Sequence, residues 1–328
     1  MTIRLDIASA PYMHRGLNTR RLMFEVLGSL AFVVAAAVYF FGLSALLVVL
    51  ASVLGAVGTE WLLRPRGTAH TLGDGSAVLT GVLLALTLPP ALPLWMAALG
   101  GAVGVALGKT IWGGLGQNLF NPALVGRAFL QAAFPVPLTT WVAPQQGFFS
   151  LSSSTLAFPG GQAPVDVTTM ATPLGLAKFE GTLTALRPLL LGSTAGSLGE
   201  TAAWILVACG LYLGLRRVFD WRLVISTLLA VVAFSGVMHW IDPQHNPGPL
   251  FMIFSGGFLF AVVFMVTDPV TSPITVRGAW IFGAGVGILV VLIRLYGGLP
   301  EGVMYAILLM NAATPLINRF TQPRRFGG

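Results

Sequence analysis

The chain has 328 residues, of which 55% are hydrophobic and only 9% charged, and its mean hydropathy is +0.84. A soluble domain carries roughly 25% charged residues, so this composition excludes a soluble enzyme and predicts a membrane protein. The net charge of +7 comes without a long basic run. We therefore attribute it to cytoplasmic loops rather than to nucleic-acid binding. The single cysteine, Cys209, excludes an internal disulfide and any metal or cluster site built from this chain's cysteines alone.

Ten apolar stretches are predicted to cross the membrane as helices. A crossing takes about 20 apolar residues, because no unpaired backbone group can face lipid. Two stretches, Ser76–Leu88 and Leu119–Phe134, are short for a straight crossing and are predicted to be broken or tilted. The ten stretches are Leu22–Phe41, Leu43–Leu63, Ser76–Leu88, Leu92–Gly108, Leu119–Phe134, Leu198–Leu215, Leu223–Ile241, Leu250–Thr267, Arg277–Leu295 and Glu301–Asn318.

The distribution of basic residues predicts the orientation of these spans. With the N-terminus inside, only Lys178, Arg187 and Arg294 fall on the outer side, and most other Lys and Arg residues are cytoplasmic, as the positive-inside rule requires. Both termini are therefore predicted to be cytoplasmic. The predicted organisation is a cytoplasmic segment 1–21, a first transmembrane repeat 22–134, a periplasmic loop 135–197, a second transmembrane repeat 198–318 and a cytoplasmic tail 319–328.

Five spans in each half would make the second half an inverted copy of the first. Short segments echo each other accordingly: Leu86–Pro89 and Val266–Pro269 each end a third span, and a Gly-Gly pair precedes each fifth span. Inverted repeats with interrupted helices place binding sites near the bilayer midplane. The alternative is that the echoes reflect only the turn chemistry of Gly and Pro. The predicted fold is thus an all-α membrane protein of two inverted five-helix repeats.

The predicted outer loop differs from the rest of the chain. Pro135–Ser197 contains seven Pro and seven Gly, and we interpret it as an irregular segment outside the hydrocarbon. Loops of this length are usually functional or disordered. Within it, residues 166–174 read Asp-Val-Thr-Thr-Met-Ala-Thr-Pro-Leu.

This motif resembles the covalent flavin-attachment motif of one family of membrane proteins. The family comprises the D component of the Rnf ion-translocating electron-transport complex and the B component of the Na⁺-translocating NADH:quinone reductase. The resemblance implies that Thr172 carries FMN through a phosphoester bond made by a dedicated flavin transferase. Asp166, Thr169 and Ala171 would belong to the motif that the transferase recognises. At Val167 and Met170 the commonest form of the motif has glycine, which is less restricted in backbone conformation.

Other segments support the same resemblance in the expected order. Thr110–Leu124 is similar to the family's Gly-Gly-x-Gly-x-Asn-x-x-Asn-Pro-Ala segment, and Gly196–Glu200, Thr267–Thr271 and Pro300–Gly302 match as well. The short N-terminus is closer to the Rnf branch. Arg127 is shared with the quinone-reductase branch, so the sequence does not assign the chain to one of the two branches.

The resemblance implies a subunit of an ion-translocating oxidoreductase in the cell inner membrane. It would relay electrons between ferredoxin and NAD to drive transport of Na⁺ or H⁺. Implied partners are the other subunits, including a second FMN-bearing subunit and iron–sulfur subunits, together with membrane lipid. A second, non-covalent flavin such as riboflavin is also implied. A threonine hydroxyl is a poor nucleophile without an activating enzyme, so no catalytic residue is expected in this chain.

Two other functions fit the predicted architecture. Inverted repeats with broken helices also suit a small-solute permease without redox activity. A purely structural scaffold within the complex is the other alternative.

Polar residues at membrane depth are further candidates, because ionisable groups there are costly. Arg127 is expected to pair with a flavin phosphate or ring carbonyl, or else structurally with Glu200. Asp268 is expected to cap a broken helix, coordinate a cation or bind the second flavin. Asn118 and Asn121 are assigned as flavin or ion neighbours at the break before the fifth span.

Carboxylates and histidines carry weaker signals. Glu25, Glu60 and Glu301 are candidates for an ion path, although solvation at the interfaces explains Glu60 and Glu301 more simply. The four histidines lack ligand spacing, and we predict no metal site.

Overall fold

The computed structural model describes residues 18–63, 71–144, 147, 149–159, 170–200 and 202–322. Asp166 and Thr169 of the flavin motif lie outside this part of the chain. The described residues form helices joined by loops, which confirms the all-α class. Within the described ranges, four helices are long and apolar enough to cross a membrane on their own: Thr19–Phe41, Leu43–Leu63, Trp221–Ile241 and Val276–Tyr296.

The outer faces of these helices carry large apolar side chains. Phe32, Leu54 and Trp240 are 67%, 71% and 85% exposed. Exposed apolar surface on this scale is unfavourable in water and natural in lipid. The fold is therefore that of a membrane protein.

The first half contains two long helices followed by three shorter ones. Helix α3 begins after Gly75, whose φ of 80° lies in the left-handed region that glycine adopts readily. Helix α4 continues through a wider, π-helical turn at Ala106–Thr110. The five helices are α1 (Thr19–Phe41), α2 (Leu43–Leu63), α3 (Ser76–Leu86), α4 (Leu94–Val105) and α5 (Pro122–Ala133).

The segment between the halves is less irregular than its composition predicts. It contains α6 (Pro135–Thr139), a helical stretch beginning with α7 (Pro173–Gly175) and continuing as a π-helical turn at Leu176–Glu180, and α8 (Leu186–Leu191). Pro occupies the first turn of α6 and α7, where its missing N–H costs no hydrogen bond. The prediction of a wholly irregular loop was therefore wrong for these stretches.

The second half also contains both long and short helices. The stretch predicted as one span, Leu250–Thr267, is divided at Ser255–Gly257, and Gly256 there has a φ of 64°. An adjacent glycine pair is a common cause of such a break. The helices are α9 (Ala203–Leu215), α10 (Trp221–Ile241), α11 (Pro249–Phe254), α12 (Phe258–Phe264), α13 (Val276–Tyr296) and α14 (Val303–Thr321).

Glycines allow the most extensive helix contacts, which are α2 with α4 and α10 with α13. A Cβ on Gly101 of α4 would overlap the carbonyl oxygen of Ser52 on α2. In the other pair, a Cβ on Gly287 of α13 would lie 2.7 Å from the Thr227 carbonyl oxygen of α10. Small residues that bring backbones this close are typical of helix packing in membranes. Each half is therefore built around one close helix pair.

We expect Gly101→Ala to destabilise the protein by about 1–3 kcal/mol, because the added methyl group forces α2 and α4 apart. The measurement is thermal unfolding of the purified protein in detergent. The matched control is Gly58→Ala on α2, where an added Cβ has no neighbour within 4 Å. Equal stability of the two variants would contradict the close packing of α2 on α4.

Candidate functional site

A cleft beside the segment between the halves brings Thr172 together with buried and half-buried charges. Its polar lining includes Arg127 of α5, Thr172, Glu200 before α9, and Glu301 before α14. Trp141 and Tyr305 contribute aromatic side chains, and Gln131 an amide. The residue assigned to flavin attachment thus shares a cleft with Arg127, the basic residue assigned to the flavin.

Local backbone contacts orient Thr172. The Met170 N–H donates to the Trp141 carbonyl oxygen at 2.9 Å, so the backbone just before Thr172 is bonded to a residue of the cleft wall. The Thr172 Oγ1 accepts the Gly175 N–H at 3.1 Å and so caps α7. Thr is a favoured N-cap because its side-chain oxygen satisfies a free helix N–H. Thr172 is partly exposed and lines the cleft.

Lys178 fastens the same helical stretch to the end of α13. Its Nζ donates to the carbonyl oxygens of Arg294 at 2.9 Å, Leu299 at 3.1 Å and Gly297, with a longer contact to Ile293. A cation at a helix C-terminus satisfies free carbonyls and interacts favourably with the helix dipole. Burial lowers the pKa of the Lys178 ammonium, because these carbonyls replace part of its water. The composition of the loop did not indicate this contact.

Arg127 is buried, and its guanidinium donates to the carbonyl oxygen of Thr87, directly after α3. This bond satisfies a carbonyl that the helix end leaves free. The predicted structural pair with Glu200 is not the bond that the guanidinium makes here, although both side chains line the cleft. Arg127 therefore combines a structural contact with a position in the site.

A second arginine holds the break between α11 and α12. Arg294 of α13 donates to the Met252 carbonyl at 2.5 Å, to the Ser255 carbonyl at 3.0 Å and to Glu301 Oε1 at 3.3 Å. Glu301 Oε2 also accepts the Gly257 N–H at 3.1 Å. The expectation that Glu301 is simply solvated was wrong, because the break in the helix exposes backbone groups that it and Arg294 satisfy.

A comparable ionic cluster lies at the start of α3, the end opposite the Thr87 contact of Arg127. Lys109, 3% exposed, donates to Glu60 Oε1 at 2.8 Å and to the Ser76 hydroxyl at 2.5 Å. Glu60 is 5% exposed, so its interpretation as a solvated interface residue was wrong. Its position at the end of an apolar span hid the partner, which lies 49 residues later in the chain.

A cavity near the Lys109–Glu60 pair is lined by Ser76 and Lys109 and also by the predicted polar residues Asn118, Asn121 and Asp268. Asn121 caps α5 through the Ala123 N–H at 3.0 Å and donates to Asp268 Oδ2 at 3.4 Å. Asp268 accepts the Val270 N–H at 3.1 Å in the turn that follows α12. The buried Asn118 Oδ1 has no hydrogen-bond partner among the described residues. An unsatisfied buried acceptor of this kind can receive a ligand donor.

The structure thus separates the predicted polar residues into two sites. Arg127 and Thr172 share the cleft beside α7, whereas the two asparagines and Asp268 share the cavity near Lys109. Ser76 and Thr87 mark the ends of α3, which has 11 residues and is therefore about 16 Å long. The sequence motifs did not predict the hydrogen bonds made by three further site residues, which are Lys178, Glu200 and Glu301.

Comparison with known proteins extends the resemblance to almost the whole chain. Residues 6–327 match the model of the NQR2, RnfD, RnfE family. The chain belongs to this family. Among the similar members is a Clostridium ljungdahlii protein named as the D component of a proton-translocating ferredoxin:NAD(+) oxidoreductase complex. It is 39% identical over 332 residues, covering 98% of this chain and 96% of its own.

Two further members of the NQR2, RnfD, RnfE family are named as the D component of an ion-translocating oxidoreductase complex. The Sodalis glossinidius protein is 41% identical, with 98% of each chain covered. The Stutzerimonas stutzeri protein is also 41% identical, covering 94% of this chain and 92% of its own. The similarity therefore includes the segment that carries Thr172 and the helices before and after it.

Proposed function

We propose that this protein is the membrane subunit of an ion-translocating oxidoreductase complex and carries FMN covalently on Thr172. The observation that carries the proposal is the position of the Thr172 hydroxyl, partly exposed at a cleft that also contains Arg127. Relatives named as subunits of such complexes match nearly full length. The loop would present the flavin to the periplasm, and the protein would act as an oxidoreductase only within the assembly.

The residues around Thr172 suit an esterified flavin phosphate. Its Oγ1 remains in a phosphoester and can still accept the Gly175 N–H, so attachment need not disturb the cap. Arg127 offers a fixed cation for a phosphate or ring carbonyl, and Trp141 and Tyr305 offer aromatic surface for a planar ring. When bound, FMN supplies the electron-transfer chemistry. The chain's own residues hold and orient it and set the charge around it.

The names of the relatives, as subunits of oxidoreductase complexes, support partners within a multi-subunit assembly. We propose that electrons pass between ferredoxin and NAD through this subunit, a second FMN-bearing subunit and iron–sulfur subunits, and that this traffic drives Na⁺ or H⁺ across the cell inner membrane. One outer flavin cannot span the membrane alone. The cavity with Asn118 and Asp268 is our candidate for a second, non-covalent flavin such as riboflavin, supported by the unsatisfied Asn118 Oδ1.

We also propose ten crossings in two inverted halves, with the flavin loop outside. Three observations support this architecture. The second and fourth helices of each half pack closely, and each third helix is short or interrupted. In addition, a basic residue at the end of each fourth helix, Lys109 or Arg294, bonds to the start or break of the third, at Ser76 or Ser255.

The decisive experiment is mass spectrometry of the protein from cells that express the flavin transferase. Trypsin releases Thr172 within residues 128–178, because no Lys or Arg lies between Arg127 and Lys178. We expect this peptide to carry the mass of FMN less one water, and fragmentation to assign it to Thr172. An unmodified peptide, or attachment elsewhere, would refute the proposal.

Lys178→Met is expected to lower the fraction of protein that carries flavin several-fold. The variant removes the bonds to the end of α13, so the helical stretch that begins at Thr172 loses its fixed position. Flavin fluorescence per amount of protein on a denaturing gel measures the effect. Arg187→Met, an exposed charge in the same segment, is the control that should retain normal occupancy. Equal occupancy in both variants would rule out a positioning role for Lys178.

A further inference from the structure

Two carboxylates approach each other at the broken helix beneath Thr172. The Oε1 atoms of Glu200 and Glu301 lie 3.5 and 3.8 Å from the point that a Cβ on Gly257 would occupy. Both side chains line the cleft that contains Thr172. A carboxylate disfavours ionisation of a second one nearby, more strongly where water is scarce.

The two carboxylates differ in what stabilises their charge. Glu301 accepts hydrogen bonds from the Arg294 guanidinium at 3.3 Å and the Gly257 N–H at 3.1 Å, and both favour the ionised form. Glu200 accepts hydrogen bonds from the Ser197 hydroxyl at 2.6 Å and from the Ser197 backbone, and neither donor carries a charge. A hydroxyl can also accept a proton donor, so Ser197 can serve Glu200 in either protonation state. Glu200 is therefore the member of the pair that can take up a proton.

The other charged or titratable groups around Glu200 come from three elements. Arg127 of α5 lines the cleft but directs a guanidinium N–H to Thr87. Arg294 of α13 is bound to Glu301 and to two backbone carbonyls. The phenol of Tyr305 on α14 lines the same cleft. Both arginines thus donate hydrogen bonds to other acceptors. Their positive charges act on the Glu200 carboxylate through space rather than through a hydrogen bond described here.

We propose that Glu200 is a proton-binding site whose occupancy is linked to the charge of the flavin on Thr172. The inference rests on the proposed covalent FMN and deepens it. When an electron donor of the complex adds negative charge in the cleft, a Glu200 carboxylate oxygen forms an O–H bond with a proton delivered by water from the outer side. Removal of the electron breaks this O–H bond and returns the proton to that water. The negative charge of the Glu301 carboxylate, which is paired with Arg294, favours proton binding at Glu200.

The first test is the pH dependence of the flavin midpoint potential in the purified, flavin-loaded protein, titrated with dithionite. Between about pH 6 and 9, where a perturbed carboxyl titrates, we expect the potential of the natural protein to fall more steeply with pH than that of Glu200→Gln. One linked proton per electron corresponds to a tenfold change in the equilibrium per pH unit, or about 59 mV. Glu180→Gln, an exposed carboxylate of the outer segment, should keep the natural slope.

The second test needs no flavin and therefore separates this inference from the proposed function. In the unloaded Thr172→Ala chain, infrared spectra should show a protonated carboxyl band that grows on acidification and disappears in Glu200→Gln. Glu301→Gln should keep the band but move its appearance to lower pH, corresponding to a several-fold loss of proton affinity. If the Thr172 peptide carries no flavin, the proposed function fails while this band stands.

Two outcomes would overturn the inference itself. One is an infrared band that survives Glu200→Gln or ignores Glu301→Gln. The other is a loaded protein whose potential has the same pH slope with and without Glu200, or responds to Na⁺ at fixed pH instead of to protons. Should Glu200→Gln not fold, Glu301→Gln still decides the question through the shift of the band.

Discussion

Thr172→Ala is expected to remove all covalently bound flavin from the protein. The phosphoester needs the Thr172 oxygen, and alanine at the same position keeps the backbone that precedes α7 while losing that atom. Under ultraviolet light on a denaturing gel, the natural protein should fluoresce and the variant should not. Thr172→Ser retains a hydroxyl and should keep a reduced signal. Electron transfer through the assembled complex should fall with the flavin content.

The control for this prediction is Thr182→Ala, an exposed threonine that follows the same helical stretch, which should fluoresce normally. A fluorescent Thr172→Ala band would mean that another hydroxyl carries the flavin. A non-fluorescent natural protein from cells that contain the transferase would favour the permease. Loss of fluorescence without loss of electron transfer would favour a structural scaffold.

Hydropathy predicted most helices correctly because apolar runs in lipid leave the backbone few alternatives. The predicted span Leu43–Leu63 matches α2 at both ends, and the predicted Leu22–Phe41 and Arg277–Leu295 differ from α1 and α13 by three residues or fewer. The break at Ser255–Gly257 was missed inside one continuous apolar run. Hydropathy averages over a window, whereas a break depends on two glycines and on distant groups that satisfy the freed backbone.

The candidate site was predictable only where a local motif existed. The motif around Thr172 marked the residue that we propose carries the flavin, and Asn121-Pro122 marked the start of α5. Long-range partners left no such signal: Lys178 bonds to carbonyls more than 100 residues away, and Glu60 looked solvated because a span was expected to end beside it. Pairing of this kind is set by how the helices pack, which one sequence read by itself does not encode locally.

The buried pair of Lys109 and Glu60 is the contact whose loss we expect to cost the most stability. The pair has a 2.8 Å bond and side-chain exposures of only 4% and 6%. Lys109→Met would leave the Glu60 charge buried without its partner, and removing one member of such a pair costs about 3–5 kcal/mol. Unfolding of the purified protein in detergent, induced by heating or denaturant, should show this loss.

The double variant Glu60→Leu, Lys109→Met tests whether the cost comes from the unpaired charge. Replacing a whole buried pair by apolar side chains is often close to neutral, so the double variant should recover most of the lost stability. Arg216→Met breaks an exposed pair with Glu25 and should have a much smaller effect, because water and salt already screen that interaction. If the double variant were as unstable as Lys109→Met, packing around the Lys109 stem rather than charge would stabilise this end of α4. Since the pair lies at the end of α3 opposite the Thr87 contact of Arg127, the double variant should also keep normal flavin on Thr172.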